Sequence, residues 1–229
     1  MSEKKLNDYL DKTTNKHIKS LDKQPFNEID GVVLSRISNL HFENTGIDMA
    51  SGGSKTIEMI HKEMTDPNYG NAAAKESYNR MSEADRYFFD LVADNPRYKN
   101  MELSDFVCDP IKNNTNSDIF NSIGKGSNEE QFAAVTIKYT QNGKTYNFVS
   151  YRATDSSLEG WIEDLCMLYK PTTQAQSDSV AYMNYIAEHT QGSIVGGGHS
   201  KGGNVAIYSA ITTSEDIQNR IIKVDNYDG

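Results

Sequence analysis

The stretch Gly198-His199-Ser200-Lys201-Gly202-Gly203 decides how this chain is read. It fits G-x-S-x-G, which sets a serine on a sharp turn when a strand precedes it and a helix follows. Ser193-Ile194-Val195 is a short apolar strand just upstream, and Asn204 to Thr212 is rich in Val, Ala and Ile, as a buried helix is. Gly198 and Gly202 flank the serine where bulk would block the turn or hold helix and strand apart, and Gly203 extends that close packing. The same pentapeptide also occurs as a plain glycine-rich turn whose serine caps the helix. The strand before and the helix after favour catalysis over capping. A phosphate-binding loop is disfavoured, because Lys201 is preceded by Ser200 and followed by Gly202, against G-x-x-x-x-G-K-[ST]. Gly143-Lys144-Thr145 has the right ending, but Lys138 stands where the first glycine is needed.

The 229 residues suffice for one α/β domain with a substantial core. With 23 Lys+Arg against 32 Asp+Glu, the net charge is −9. That disfavours a nucleic-acid or anionic-membrane partner, since both need basic patches to meet phosphate. Cys108 and Cys166 make neither a disulfide framework nor a zinc pattern and read as two free thiols. No metal and no cofactor is called for. The polar start Met1-Ser2-Glu3-Lys4-Lys5 is not a signal peptide, and no apolar run approaches the ~20 residues of a membrane span, so a cytoplasmic protein is expected.

Residues 1–25 are polar and lysine-rich and read as a loose arm or a marginal helix; residues 26–229 read as the domain. Within it, 26–100 is expected to be helical. Phe26, Ile29, Val33 and Ile37 keep helical spacing. Ser54 is expected to cap a helix carrying Ile57, Ile60 and Met64, ended by Pro67, and Ser82 with Asp85 resembles a capping box before Tyr87, Phe88, Leu91 and Val92. Residues 101–229 are expected to form the sheet core. Ala133, Val135, Ile137 and Tyr139 alternate with Ala134, Thr136 and Lys138, Asn142-Gly143 is a type I′ hairpin signal, and the return strand is Thr145 to Arg152. Residues 112–130 read as a surface loop. A helix over 177–188, the Ile194 strand, the elbow helix and a last strand at Ile221, Ile222 and Val224 follow. Strands alternating with helices imply a mostly parallel sheet with helices on both faces.

A second block points the same way. Tyr151-Arg152-Ala153-Thr154-Asp155 ends a strand, and Gly160-Trp161-Ile162-Glu163-Asp164 follows. With the elbow Gly198-His199-Ser200-Lys201-Gly202-Gly203-Asn204, with Phe26-Asn27-Glu28-Ile29-Asp30 and with Gln131-Phe132-Ala133-Ala134-Val135, this resembles the Mbeg1-like family of bacterial α/β-hydrolase-fold proteins, a domain of unknown function distantly similar to the class 3 lipases. The resemblance spans roughly residues 26–229. It implies an α/β-hydrolase-like three-layer sandwich and a serine acyl hydrolase of lipase or esterase type. Its substrate would be a small-molecule acyl ester or lipid. Ser200 takes the nucleophile's place, the Lys201 N–H is one oxyanion donor, and the Thr154–Asp155 segment supplies the other. Ala153 departs from the family, which usually has glycine there. Arg152, Glu163 and Asp164 read as a structural ion pair that fixes the loop, and Trp161 as a packing anchor.

A serine hydroxyl needs an adjacent base and an orienting carboxylate to act as a nucleophile. The histidines are His17, His41, His61, His189 and His199, and none follows Ser200 in the remaining 29 residues. The hydrolase order is Ser, acid, His. Asp228 is the acid candidate, against a plain turn residue in Asp-Gly. The relatives continue beyond this point, so the chain is expected to be C-terminally incomplete, cut before its catalytic histidine, with an open sheet edge that invites homo-oligomers. A non-catalytic binding or scaffold module is the alternative. A third reading takes His61 or His189 as the base, in trans or through unusual topology.

Overall fold

The computed structural model describes residues 3–13, 15, 18–49, 51–69, 72–108, 132–153 and 172–227. The described helices are α1 (Glu3–Leu10), α2 (Glu28–Ile37), α3 (Ile57–Thr65), α4 (Ala72–Arg80), α5 (Glu83–Asp94), α6 (Gln174–His189), α7 (Lys201–Thr212) and α8 (Glu215–Gln218). The strands are β1 (Ser54–Thr56), β2 (Glu102–Cys108), β3 (Ala133–Gln141), β4 (Lys144–Tyr151), β5 (Ser193–His199) and β6 (Ile221–Tyr227). They form one sheet in the order β1-β2-β3-β4-β5-β6.

The hairpin forms where the sequence places it. β3 and β4 pair about Asn142 and Gly143, whose φ angles of 50° and 72° meet the type I′ requirement. The sheet is mixed, which corrects the expectation of a mostly parallel one. β1–β2, β2–β3 and β3–β4 are antiparallel, while β4–β5 and β5–β6 are parallel. A two-residue turn can join only antiparallel strands, and parallel pairing needs a crossover helix. Here α6 and α7 serve that role, so only the last three strands run parallel.

Side-chain alternation gives each face of the sheet its own core. Val135, Ile137, Phe148 and Val195 pack with Val33, Leu34 and Ile37 of α2 and with residues of α1, α3 and α5. Ala134, Val149, Tyr151 and Ile194 pack with Tyr182, Met183 and Ile186 of α6 and with Val205 and Ala206 of α7. The sheet therefore lies between two helical layers.

Local chemistry sets the helix starts. Asn27 and Asp30 form a reciprocal capping box on α2, and Thr173 and Gln176 form one on α6. Ser82 caps α5 through the Asp85 N–H. Ser54 does not cap α3. It pairs with Ser104 in β1, and Thr56 accepts from the Met59 N–H instead; strand pairing outweighs the local capping signal. Of the two readings of the N-terminal stretch, the helix is the one that forms, as α1 over Glu3–Leu10. Leu6, Leu10 and Leu21 are buried in the α2-side core. The buried Arg97 donates to the carbonyls of Lys19 (2.8 Å), Gln24 (2.9 Å) and Pro25 (3.2 Å), which ties residues 19–25 down. Among the described residues no helix is long and apolar enough to cross a membrane.

Candidate active site

β5 runs through Gly196-Gly197-Gly198 between β4 and β6, and the chain turns into α7 at Ser200. Two contacts demand glycine at this turn. A Cβ on Gly198 would lie 2.3 Å from the Gly202 carbonyl carbon, and one on Gly202 would lie 2.3 Å from the Tyr151 carbonyl oxygen. Both obstacles are backbone and cannot swing away. The start of α7 thus sits directly on the ends of β4 and β5, which is the physical content of the two glycines in G-x-S-x-G.

Ser200 has φ 53° and ψ −124°, outside the left-handed helical region as well as the common ones. The other described non-glycine residues with positive φ are Asn44, Asp105 and Asn142, residue types that tolerate such backbone. Ser200 is the exception. It occupies the N-cap position of α7, yet its side chain makes no capping hydrogen bond, so the capping reading does not describe it. Its backbone is held from both sides. The Ser200 N–H donates to the Tyr227 carbonyl at 2.8 Å, and its own carbonyl accepts from the N–H groups of Gly203 (2.9 Å) and Asn204 (3.2 Å). Lys201, only 6% exposed, opens α7, where its N–H lies at the positive end of the helix dipole.

A cleft of about 310 Å³ opens beside the turn on the α2 side, lined by Leu6, Val32, Ser35, Arg36, Asn39, His199 and Tyr227. The His199 side chain therefore faces α2, paired in register with Tyr227. The Tyr227 hydroxyl donates to the Glu28 carbonyl at 3.1 Å. Burial, and then the carboxylates of Asp225, Glu28 and Asp30, push this phenol up, so it stays neutral. The end of α2 is fastened to the end of β4. Arg152 donates to the carbonyls of Ser38 (2.9 Å) and Leu40 (3.0 Å) and to Cys108 Sγ (3.1 Å), and the Ala153 N–H donates to Asn39 Oδ1 at 3.0 Å. The described partners of Arg152 are carbonyls and a thiol, whereas the expected ion pair with Glu163 and Asp164 involves residues outside the described ones.

Of the residues singled out in the sequence, Ser200 and Lys201 meet at the turn. Thr154, Asp155 and Asp228 lie outside the described residues, as do Trp161, Glu163, Asp164, Cys166, His17 and the 112–130 segment. The proposed stand-in bases are engaged elsewhere. His61 Nε2 lies 2.7 Å from Asp90 Oδ1, which also accepts from the Tyr78 hydroxyl at 2.7 Å. His189 Nδ1 lies 2.8 Å from the Tyr185 carbonyl, and its ring stacks on Tyr185 at 4.1 Å. It ends α6 just before β5, so the length of β5, roughly 20 Å at a rise of ~3.3 Å per residue, separates it from Ser200. His41 Nδ1 lies 3.2 Å from Glu43 Oε1. Among the described residues no group of three or more His, Cys, Asp or Glu side chains could hold a metal ion.

Sequence reasoning did not find Val32, Asn39 or Tyr227. Only Tyr227 left a signal, as the last strand residue before Asp228-Gly229. A family model described as Mbeg1-like matches residues 92–229, within the 26–229 over which the motifs were read. No curated protein and no solved structure matches the chain.

Proposed function

We propose that this chain, which belongs to the Mbeg1-like family, is a serine acyl hydrolase of lipase or esterase type on an α/β-hydrolase-like framework. Ser200 Oγ attacks the carbonyl carbon of an ester or thioester, the alcohol or thiol leaves with a proton, and water releases the acyl group from the serine. The Lys201 N–H and the Thr154–Asp155 segment stabilise the oxyanion, and Asp228 is the acid. One observation carries the reading. A serine without a capping role is held at φ 53° and ψ −124° between a strand end and a helix start, and such backbone concentrates at functional sites. No described histidine is assigned as the general base: His41, His61 and His189 are hydrogen-bonded elsewhere, and His199 lines the cleft on the α2 side.

The test is a pre-steady-state burst of p-nitrophenol from p-nitrophenyl butyrate. A burst approaching one equivalent, absent in Ser200→Ala, is expected. A burst that Ser200→Ala retains would remove Ser200 from the chemistry. A binding module without turnover is the second reading. Ala153 favours it, because the family usually has glycine there and the Ala153 N–H is already taken by Asn39. The absence of any burst from correctly folded protein would favour that module. We also propose that copies associate through β6, an edge strand among the described residues whose Ile222 is 58% exposed. Sedimentation velocity should show a dimer, and a monomer at high concentration would reject the edge as an interface.

A further inference from the structure

We infer that the cleft between α1, α2 and the tips of β5 and β6 is the acyl pocket of Ser200, and that it takes a short, uncharged acyl group. The inference rests on the reading of Ser200 as the nucleophile.

Position comes first. His199 and Tyr227 form one wall. His199 precedes Ser200 in the chain, and the Tyr227 carbonyl holds the Ser200 N–H at 2.8 Å. The cleft thus adjoins the serine through its neighbours His199 and Tyr227, which line it. Val32 on α2 and Leu6 on α1 also line it. Size comes next. At about 310 Å³ it lies at the low end of the ~300–1,000 Å³ usual for small-molecule sites, which suits a short acyl group.

Charge narrows the ligand further. The Arg36 guanidinium is already held by Asp85 at 3.3 Å and by the face of Phe88 at 4.4 Å. Asp225, buried on β6 beside Tyr227, is paired with Lys223 at 2.6 Å and brings no uncompensated charge to that wall. A carboxylate ligand would find the one lining guanidinium already paired, so a neutral ester is favoured over its acid product. The polar contact is Asn39. Its Oδ1 accepts from the Ala153 N–H, and its amide N–H groups are the ones left to donate to a ligand carbonyl. Val32 and Asn39 thus set chain length and carbonyl orientation.

The experiment uses the full chain carrying Ser200→Ala, so that no probe is consumed, with methyl-labelled Leu and Val observed by NMR. Titration with methyl butyrate should shift the Leu6 and Val32 methyl signals. Affinity should rise about fourfold per methylene from the acetate to the butyrate. Sodium butyrate should shift neither signal. Val32→Trp should fill the cleft and abolish the Leu6 shift while circular dichroism stays native. Leu6→Ala enlarges the cleft and should move the best-fitting ester to a longer chain, which keeps the pocket testable if the Val32 variant misfolds. Unmoved Leu6 and Val32 signals, or equal binding of butyrate and its ester, would overturn the pocket. A burst at Ser200 without these shifts rejects the pocket alone. Shifts without a burst reject the Ser200 chemistry and leave the pocket standing.

Discussion

Replacing Ser200 by glycine should make the protein more stable, although at most positions that change weakens a fold. A non-glycine residue outside the populated φ/ψ regions stores about 1–3 kcal/mol, and Ser200 sits at φ 53°, ψ −124°. Glycine has no Cβ to clash there, so the variant releases that strain. Against this stands the greater chain entropy that glycine loses on folding, about 0.5–1 kcal/mol. Nothing else is lost, because the hydroxyl makes no capping bond. The net expectation is a gain of up to ~2.5 kcal/mol. In urea, with a slope of ~1–3 kcal/mol per molar, the unfolding midpoint should rise by about 0.5 M with the slope unchanged. Ser200→Ala keeps the Cβ and should stay within about 0.5 kcal/mol of the parent. A glycine variant less stable than the parent would refute the reasoning, because the serine backbone would then carry no strain.

Gly202→Ala should have the opposite sign. Its Cβ would meet the Tyr151 carbonyl at 2.3 Å, an overpacking cost of at least about 1–3 kcal/mol, read as a lower urea midpoint; a neutral outcome would mean that α7 can lift off β4. Arg97→Met should cost about 3–5 kcal/mol. It strands the fully buried Asp30, which Arg97 pairs with at 2.5 Å, and it frees the 19–25 segment. Lys12→Met, which breaks an exposed pair with Asp94, should cost less than about 1 kcal/mol, and equal losses in chemical denaturation would contradict the contrast. Stability should also fall in alkali. Burial raises the phenols of Tyr98, Tyr151 and Tyr182, so the fold keeps them neutral. Their contribution is whole below the unfolded value near pH ~10 and is lost as pH rises, because the unfolded chain then gives up those protons. Each contributes at most ~1.4 kcal/mol per pH unit, so urea midpoints between about pH 10 and 12 should drop steeply, and a flat profile would show these phenols ionising inside the fold.

The elbow was legible because its demands are local. A strand, a serine between glycines and a helix lie within about twenty consecutive residues, and Gly198 and Gly202 are forced by backbone contacts that the pattern encodes. The hairpin at Asn142-Gly143 was legible for the same reason, since positive φ at both positions has a residue signature. Elements whose order comes from partners were not. β2 carries a register shift between Ser104 and Val107 with Asp105 at φ 54°, so its alternation is broken. β1 pairs with β2, about fifty residues further along the chain. α4 buries little beyond Ala74 and Ser77 and has no apolar stripe to read. α1 hides Leu6 and Leu10 in a lysine-rich segment. Asn39 and Val32 reach the site from an element some 160 residues upstream of Ser200, and no spacing rule links them to it.

The most direct test of the central claim is reaction of the chain with a fluorophosphonate, read by intact mass. One phosphonyl adduct per chain, absent in Ser200→Ala, is the predicted result. An unmodified parent protein, or an adduct that survives Ser200→Ala, would contradict the assignment of Ser200 as an activated nucleophile.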